Sequence, residues 1–262
     1  MEDLHQFRAR GINMLTRRQI MKIARKNKIP GYTQERDYIQ TLFLYCLYPE
    51  KEIVFKGGTA LRLVHKSNRY SEDLDFNSYT DRTEKILKNA VKRLEDFGIK
   101  GEIKDEYTDE RSYSFRLVYK GPLYVSGEKG KGGIDIEVSL REETIEKETK
   151  FVSSKYEDIN DFLITVLSLE HITAEKLRAL MIRRKPRDLY DLWFLINKGV
   201  TIERKLLDKK LQLYDKKFKI KGLREAIGEV ENGWERDLET LLPSIPDFDS
   251  VSADVIEKFQ DI

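Results

Sequence analysis

The stretch Phe55-Lys-Gly-Gly-Thr-Ala-Leu-Arg-Leu-Val-His-Lys-Ser-Asn-Arg-Tyr-Ser-Glu-Asp-Leu-Asp-Phe76 decides how this chain folds and where its chemistry lies. Ile53, Val54 and Phe55 read as a short buried strand that stops at Gly57-Gly58, and Thr59 to His65 reads as a short helix. Leu74 and Phe76 then alternate with Asp73 and Asp75, as on a strand, so both carboxylates share one face. The glycines allow a tight turn in which backbone amides and the Thr59 hydroxyl can approach a phosphate. Two carboxylates side by side on a half-buried strand repel each other unless a cation joins them. Such a pair can hold two magnesium ions about 4 Å apart, an arrangement that serves phosphoryl chemistry. A Gly-Gly turn or an Asp-x-Asp alone signifies little; their combination carries the reading.

Outward from this segment, the pattern changes twice. The first fifty residues read as helical, with Ile20, Met21, Ile23 and Ala24 forming a stripe among basic residues and Thr33 to Tyr48 a more buried helix. Asp81 to Phe97 reads as a helix capped by Asp81, with Glu84 three residues on and Gly98 at its end. Strands follow near Ile99 to Tyr107, Ser112 to Tyr119 and Gly133 to Leu140. From Ser168 the pattern is helical almost to the end, broken at Pro186, which lacks an amide donor, and closed again at Gly199. The class is α+β, a small mixed sheet between two helical segments.

On the Gly133 to Leu140 strand, Ile134, Ile136 and Val138 face one way, which leaves Asp135 and Glu137 sharing the other. Either could add a third carboxylate to Asp73 and Asp75. On the later helices, Lys176 can deliver an ammonium charge to a bound triphosphate. Arg187 and Asp191 lie four apart, and Asp188 and Asp191 three apart on one helical face. Those three residues read equally as a salt-bridge network. Arg69, just before the aspartates, could touch phosphate or order its loop. His5, His65 and His171 do not cluster and read as structural or exposed.

Composition excludes other classes. The chain has 262 residues, 40% hydrophobic and 36% charged, with a net charge of +2. No apolar run approaches the roughly 18 residues of a membrane span, and the charged first residues do not suit a signal peptide. Cys46 is the single cysteine, so neither a disulfide nor a cysteine zinc site can form within one chain. A cytoplasmic protein with no membrane role is expected. Three basic clusters stand out against the low net charge: Arg17 to Lys28, Arg183 to Arg187, and Lys205 to Lys221. Each reads by itself as a solvated face and is compatible with contacts to RNA phosphates.

The run Lys56-Gly-Gly-Thr-Ala-Leu61 followed by Arg69-Tyr-Ser-Glu-Asp-Leu-Asp-Phe76 resembles the signature of the AbiEii nucleotidyltransferase toxins, a branch of the DNA polymerase beta-like superfamily. Thr59 replaces the serine usual in the superfamily, and thirteen residues separate it from Asp73. Ala174-Glu-Lys-Leu-Arg-Ala-Leu180 with Arg187-Asp-Leu-Tyr-Asp-Leu192 resembles the distal motif of the family, so the likeness spans roughly 37–195. The resemblance implies a helical segment over 1–50, a nucleotidyltransferase core over 51–165 and a helical domain over 166–262. It implies transfer of a nucleoside monophosphate from an NTP with Mg2+, Asp73 and Asp75 holding metal. Glu137 is preferred over Asp135 as the third carboxylate. Lys56, Gly57, Gly58, Thr59, Arg69, Lys176, Arg187, Asp188 and Asp191 would surround the nucleotide. A separate antitoxin and an acceptor such as tRNA or another RNA are the implied partners. A metal-dependent nuclease and a non-catalytic nucleotide- or RNA-binding module are the alternatives. The Gly-Gly-Thr turn with Lys176 favours a triphosphate over the first, and retention of both aspartates disfavours the second.

Overall fold

The computed structural model describes residues 14–141, 146–201, 203–212 and 214–260; His5 lies outside them. The chain divides into two compact units, the first comprising 1–66 and 70–166, the second 67–69 and 167–262.

The first unit begins with α1 (Arg17–Asn27), started by a capping box in which Thr16 and Gln19 exchange hydrogen bonds. Helix α2 (Gly31–Leu47) is buried on nearly every side, which marks it as a core element. Strand β1 (Ile53–Lys56) leads directly into α3 (Gly57–Leu63), and β2 (Leu74–Ser78) follows. Helix α4 (Thr83–Arg93) continues as a 3-10 turn to Phe97 and stops at Gly98, whose φ of 77° suits glycine. Its N-terminus corrects the expectation for Asp81. The residue before the helix is Arg82, with no side-chain cap. The turn is held instead by the Thr83 hydroxyl, which donates to the Thr80 carbonyl and meets the Ser78 hydroxyl.

Strands β3 (Lys100–Thr108), β4 (Ser112–Lys120), β5 (Gly132–Ser139), β6 (Lys147–Val152) and β7 (Phe162–Leu167) complete a mixed sheet of order β3-β4-β5-β2-β1-β7-β6. Strand β2 runs antiparallel to β1, with Lys56 opposite Asp75, and parallel to β5, with Asp75 opposite Glu137. Leu74, Phe76, Ile134, Ile136, Val138, Phe115 and Leu117 are all buried and, by register, share one face. Val91 and Leu94 from the α4 region close on Leu117 around Gly101. The opposite face carries the polar residues of β2, β4 and β5.

The second unit is helical: α5 (Leu169–Arg183), α6 (Pro186–Asn197), α7 (Arg204–Gln212), α8 (Ile220–Val230), α9 (Trp234–Leu238) and α10 (Phe248–Phe259). Ser168 caps α5 by accepting from the His171 amide. Pro186 occupies the first turn of α6, where its missing N–H costs nothing. Leu177, Leu180, Leu189, Leu192, Leu223, Trp234, Val251 and Phe259 belong to a single apolar core. Among the described residues no helix is long and apolar enough to cross a membrane.

Candidate functional site

Each carboxylate of the first unit is placed by an identifiable local device. Gly57 has φ of +78°, and a Cβ there would lie 2.0 Å from Asp75 Oδ2. Only glycine meets both conditions, so the turn into α3 brings backbone directly against the Asp75 carboxylate. Asp73, immediately before β2, is clamped through its main chain. The buried Thr59 hydroxyl donates to the Asp73 carbonyl at 2.5 Å, and Gln40 of α2 donates to the carbonyls of Ser71 at 3.2 Å and Asp73 at 3.5 Å. Arg36, one turn before Gln40, pairs with Glu72 at 2.8 Å. Helices α2 and α3 together therefore hold the segment that presents the aspartates. Both aspartates are half-buried, as are Lys56 and Gly57, whereas Gly58 is buried. Thr59 has one hydroxyl proton and gives it to the protein, so its effect here is to position Asp73.

The two candidates for a third carboxylate have different surroundings. Arg116 of β4 lies opposite Asp135 in the sheet and holds both its oxygens at 2.6 Å. Gly133 makes room for this guanidinium, since a Cβ there would meet Arg116 Nη2 at 2.6 Å. Glu137 is exposed and sits beside Asp75 in the parallel register. Asn77, the next residue on that face of β2, is fully buried, and neither atom of its amide finds a partner in the protein. Buried amides are normally satisfied, so this strand carries more polarity than its folding requires.

Among the described residues no three His, Cys, Asp or Glu side chains already form a metal-holding group. The donor set nevertheless suits magnesium, a hard cation usually held by one or two carboxylates together with water and substrate phosphates. Asp73 and Asp75 supply such a pair of hard oxygen donors, with Glu137 alongside.

The distal residues gather in the second unit, which includes Arg69. Sequence reading offered Lys176 to a triphosphate and Arg69 to phosphate or to the ordering of its loop; in the structure both meet carboxylates. Arg69 is 1% exposed and bonds both oxygens of Asp191, at 2.8 and 2.7 Å. Lys176 lies 2.7 Å from Asp191 and 3.3 Å from Asp188. Arg183 adds a bidentate contact to Asp188 at 2.7 and 2.8 Å. Both aspartates are fully buried. Burial alone would raise the Asp188 carboxyl, but Lys176 and Arg183 outweigh it and hold it down at about 2. Asp191 is likewise lowered, burial being overcome by Arg69 and Lys176. The Arg69 guanidinium is correspondingly raised, Asp191 outweighing burial. Arg187 is half-buried in the first turn of α6, and His65 and His171 are buried.

Sequence reasoning missed Gln40, Arg36, Asn77 and Arg116. Gln40 is one of several polar residues of α2, with Gln34, Glu35, Asp37 and Thr41, so no local signal singled it out. The pairing of Arg116 with Asp135 needed the β4–β5 register, which no local pattern supplies.

Comparison with known proteins places the chain in a family. The family model described as nucleotidyl transferase AbiEii toxin of type IV toxin–antitoxin systems matches residues 43–261. Among solved structures, the chain is similar to MenT4, a nucleotidyltransferase toxin of Mycobacterium tuberculosis. Identity is 21% over 94% of this chain and 88% of that one, with a TM-score of 0.65. It is also similar to JHP933 of Helicobacter pylori, at 21% identity over 88% and 92%, with a TM-score of 0.56. No curated protein matches it in sequence.

Proposed function

The chain belongs to the AbiEii family of nucleotidyl transferase toxins, and on that premise we propose that it moves a nucleoside monophosphate from an NTP to the hydroxyl of an RNA acceptor. The observation that carries this reading is the half-exposed carboxylate face of β2 and β5, with Asp75 seated on Gly57 and Glu137 in register beside it. The family implies a nucleotide substrate and a cognate antitoxin.

Asp73 and Asp75 would hold magnesium, with Glu137 as the third carboxylate because it stands beside Asp75 in the parallel register of β2 and β5. When bound, magnesium neutralises the triphosphate and activates the attacking hydroxyl. The half-buried turn at Gly57, beside the Asp75 carboxylate, would take the triphosphate. Lys56, half-buried at the end of β1 and opposite Asp75, brings a cation to that surface. Thr59 and Gln40 act as positioning residues, fixing the main chain from which Asp73 projects. The acceptor hydroxyl gives its proton to a carboxylate of this face or to water as its oxygen bonds to the α-phosphorus, the bond from that phosphorus to the β-phosphate oxygen breaks, and pyrophosphate leaves with the electron pair. Arg69, Lys176, Asp188 and Asp191 serve as a structural network of the second unit, a reading supported by their burial and mutual pairing.

The test is incubation with each α-labelled NTP, magnesium and total tRNA. Label should enter RNA with the wild-type chain and not with Asp73→Ala or Asp75→Ala. Absence of both transfer and magnesium-dependent NTP binding in the wild type would overturn the assignment.

A further inference from the structure

Several buried polar side chains of the first unit are bonded within it. Thr59 donates to the Asp73 carbonyl, Gln34 to the Tyr156 hydroxyl and Arg62 to Asp37. Ser78, the residue after Asn77 on β2, shares its hydroxyl with Thr83. Asn77 differs. It is 0% exposed, and neither its Nδ2 nor its Oδ1 has a partner in the protein. Among the described residues it is the only side chain with two such atoms.

The sheet defines what surrounds it. Leu74, Phe76 and Ser78 take one face of β2, which leaves Asp75 and Asn77 on the other. Lys56 of β1 and Glu137 of β5 flank Asp75; Val54 and Ser139, on the same two strands, flank Asn77. Val54 is fully buried and apolar, and Ser139 is half-buried. Along β2 the next polar side chain on this face is Asp75, about 7 Å away between Cα atoms.

Folding does not account for the amide. Its two donor protons and its acceptor oxygen are sealed from solvent, at a cost that an apolar side chain beside Val54 would avoid. Zero exposure excludes bulk water, and a nucleobase would need the amide at the surface. Two partners are left, a trapped water or the Asp75 carboxylate with what it holds. A trapped water needs two to four polar partners, and Val54 offers no polar side chain. Asp75 lies on the same strand and face. In metal sites, the groups behind ligating carboxylates bond to them and fix their orientation, and magnesium keeps several of its waters. An amide donates and accepts at once, which suits a carboxylate oxygen beside a metal-bound water.

We propose that Asn77 is a positioning residue of the carboxylate face: its N–H donates to the Asp75 carboxylate, and its carbonyl accepts from a water of the magnesium that Asp75 holds. This rests on the proposed function, in which Asp73 and Asp75 hold the metal. The strand then sacrifices stability at Asn77 and gains metal affinity.

The test is titration of the full chain with Mn2+, which shares magnesium's preference for carboxylate and water ligands and whose paramagnetic signal reports the bound fraction. Wild type, Asn77→Leu, Asn77→Ala and Asn77→Ser are compared, and each is also melted without metal. Asn77→Leu should bind the ion about 10- to 100-fold more weakly. Without metal it should melt at the wild-type temperature or up to about 4 °C above it, because two unsatisfied atoms are gone. Asn77→Ala should lose metal affinity equally, and it keeps the test decisive if leucine does not fit the site. Asn77→Ser, which restores a group that donates and accepts, should bind the ion more tightly than Asn77→Ala. Wild-type affinity in the folded leucine or alanine variant would overturn the proposal and leave the amide to a trapped water. Failure of the wild type to bind Mn2+, or undiminished binding by Asp75→Asn, would instead strike the assignment of the metal to this face.

Discussion

Two groups of aspartates in this molecule have the same chemistry and opposite circumstances. Asp188 and Asp191 are fully buried and enclosed by Arg69, Lys176 and Arg183. Asp73 and Asp75 are half-buried at the edge of β2, beside a third carboxylate, Glu137, which is exposed. In the first group the protein supplies the counter-charges itself, and the carboxyls are held low in spite of burial. In the second, like charges are gathered where solvent and ligand can reach them. A carboxylate buried among cations belongs to the architecture; under the proposed function the accessible carboxylates of β2 and β5 would meet a cation from outside.

Mutation should separate the groups. The largest effect is expected from Asp73→Asn or Asp75→Asn, with the rate of pyrophosphate release lowered about a thousandfold, equivalent to about 4 kcal/mol. Thermal melting of these variants should match or exceed wild type, because a repulsion is removed. Asp191→Ala should do the reverse. It strands Arg69 in the interior and should destabilise the second unit by about 3 to 5 kcal/mol in denaturant titration. A stable Asp191→Ala protein that had lost only catalysis would break the distinction.

Acid should sharpen it. The Asp188 carboxyl is depressed from 3.8 to about 2 in the folded chain. The unfolded state therefore binds a proton more readily, and the stability this group contributes is present above about pH 4 and lost as pH falls towards 2. The contribution is about 2 kcal/mol. Comparing unfolding free energy at pH 5 and pH 2.5 in wild type and Asp188→Asn reads it, and the variant should show the shallower decline.

The smallest effect belongs to Arg116→Gln. Its pair with Asp135 is close to half exposed on both sides, so the loss in stability should be under about 1 kcal/mol. Transfer should persist in Asp135→Asn and fall sharply in Glu137→Gln. Equal losses in the two would return Asp135 to the candidate metal ligands.

How much of this was legible in the sequence depended on range. Alternation of Leu74 and Phe76 with Asp73 and Asp75 announced the strand, which begins at Leu74, just after Asp73. The same two-residue period put Asp135 and Glu137 together without separating them. Their different surroundings appeared only when β4 brought Arg116 opposite Asp135. Strands β6 and β7 escaped notice for different reasons. Lys147–Val152 is an edge strand with Phe151 exposed, so it lacks a buried stripe. Phe162–Leu167 is a short apolar run whose period does not distinguish strand from helix. Arg69 and Asp191 are 122 residues apart, and no local spacing foretold their pairing. An arginine just before an acidic motif suggested either phosphate or an ordering role; the buried pair with Asp191 is an internal contact of Arg69.

The most direct measurement of the central claim is the affinity of a fluorescent NTP for wild type and Asp75→Asn, with and without magnesium and without any acceptor. The account predicts that magnesium strengthens binding to the wild type and has little effect in Asp75→Asn, whose melting temperature is unchanged. Equal magnesium-dependent binding by the two proteins would contradict it, because the nucleotide site would then lie away from the carboxylate face of β2.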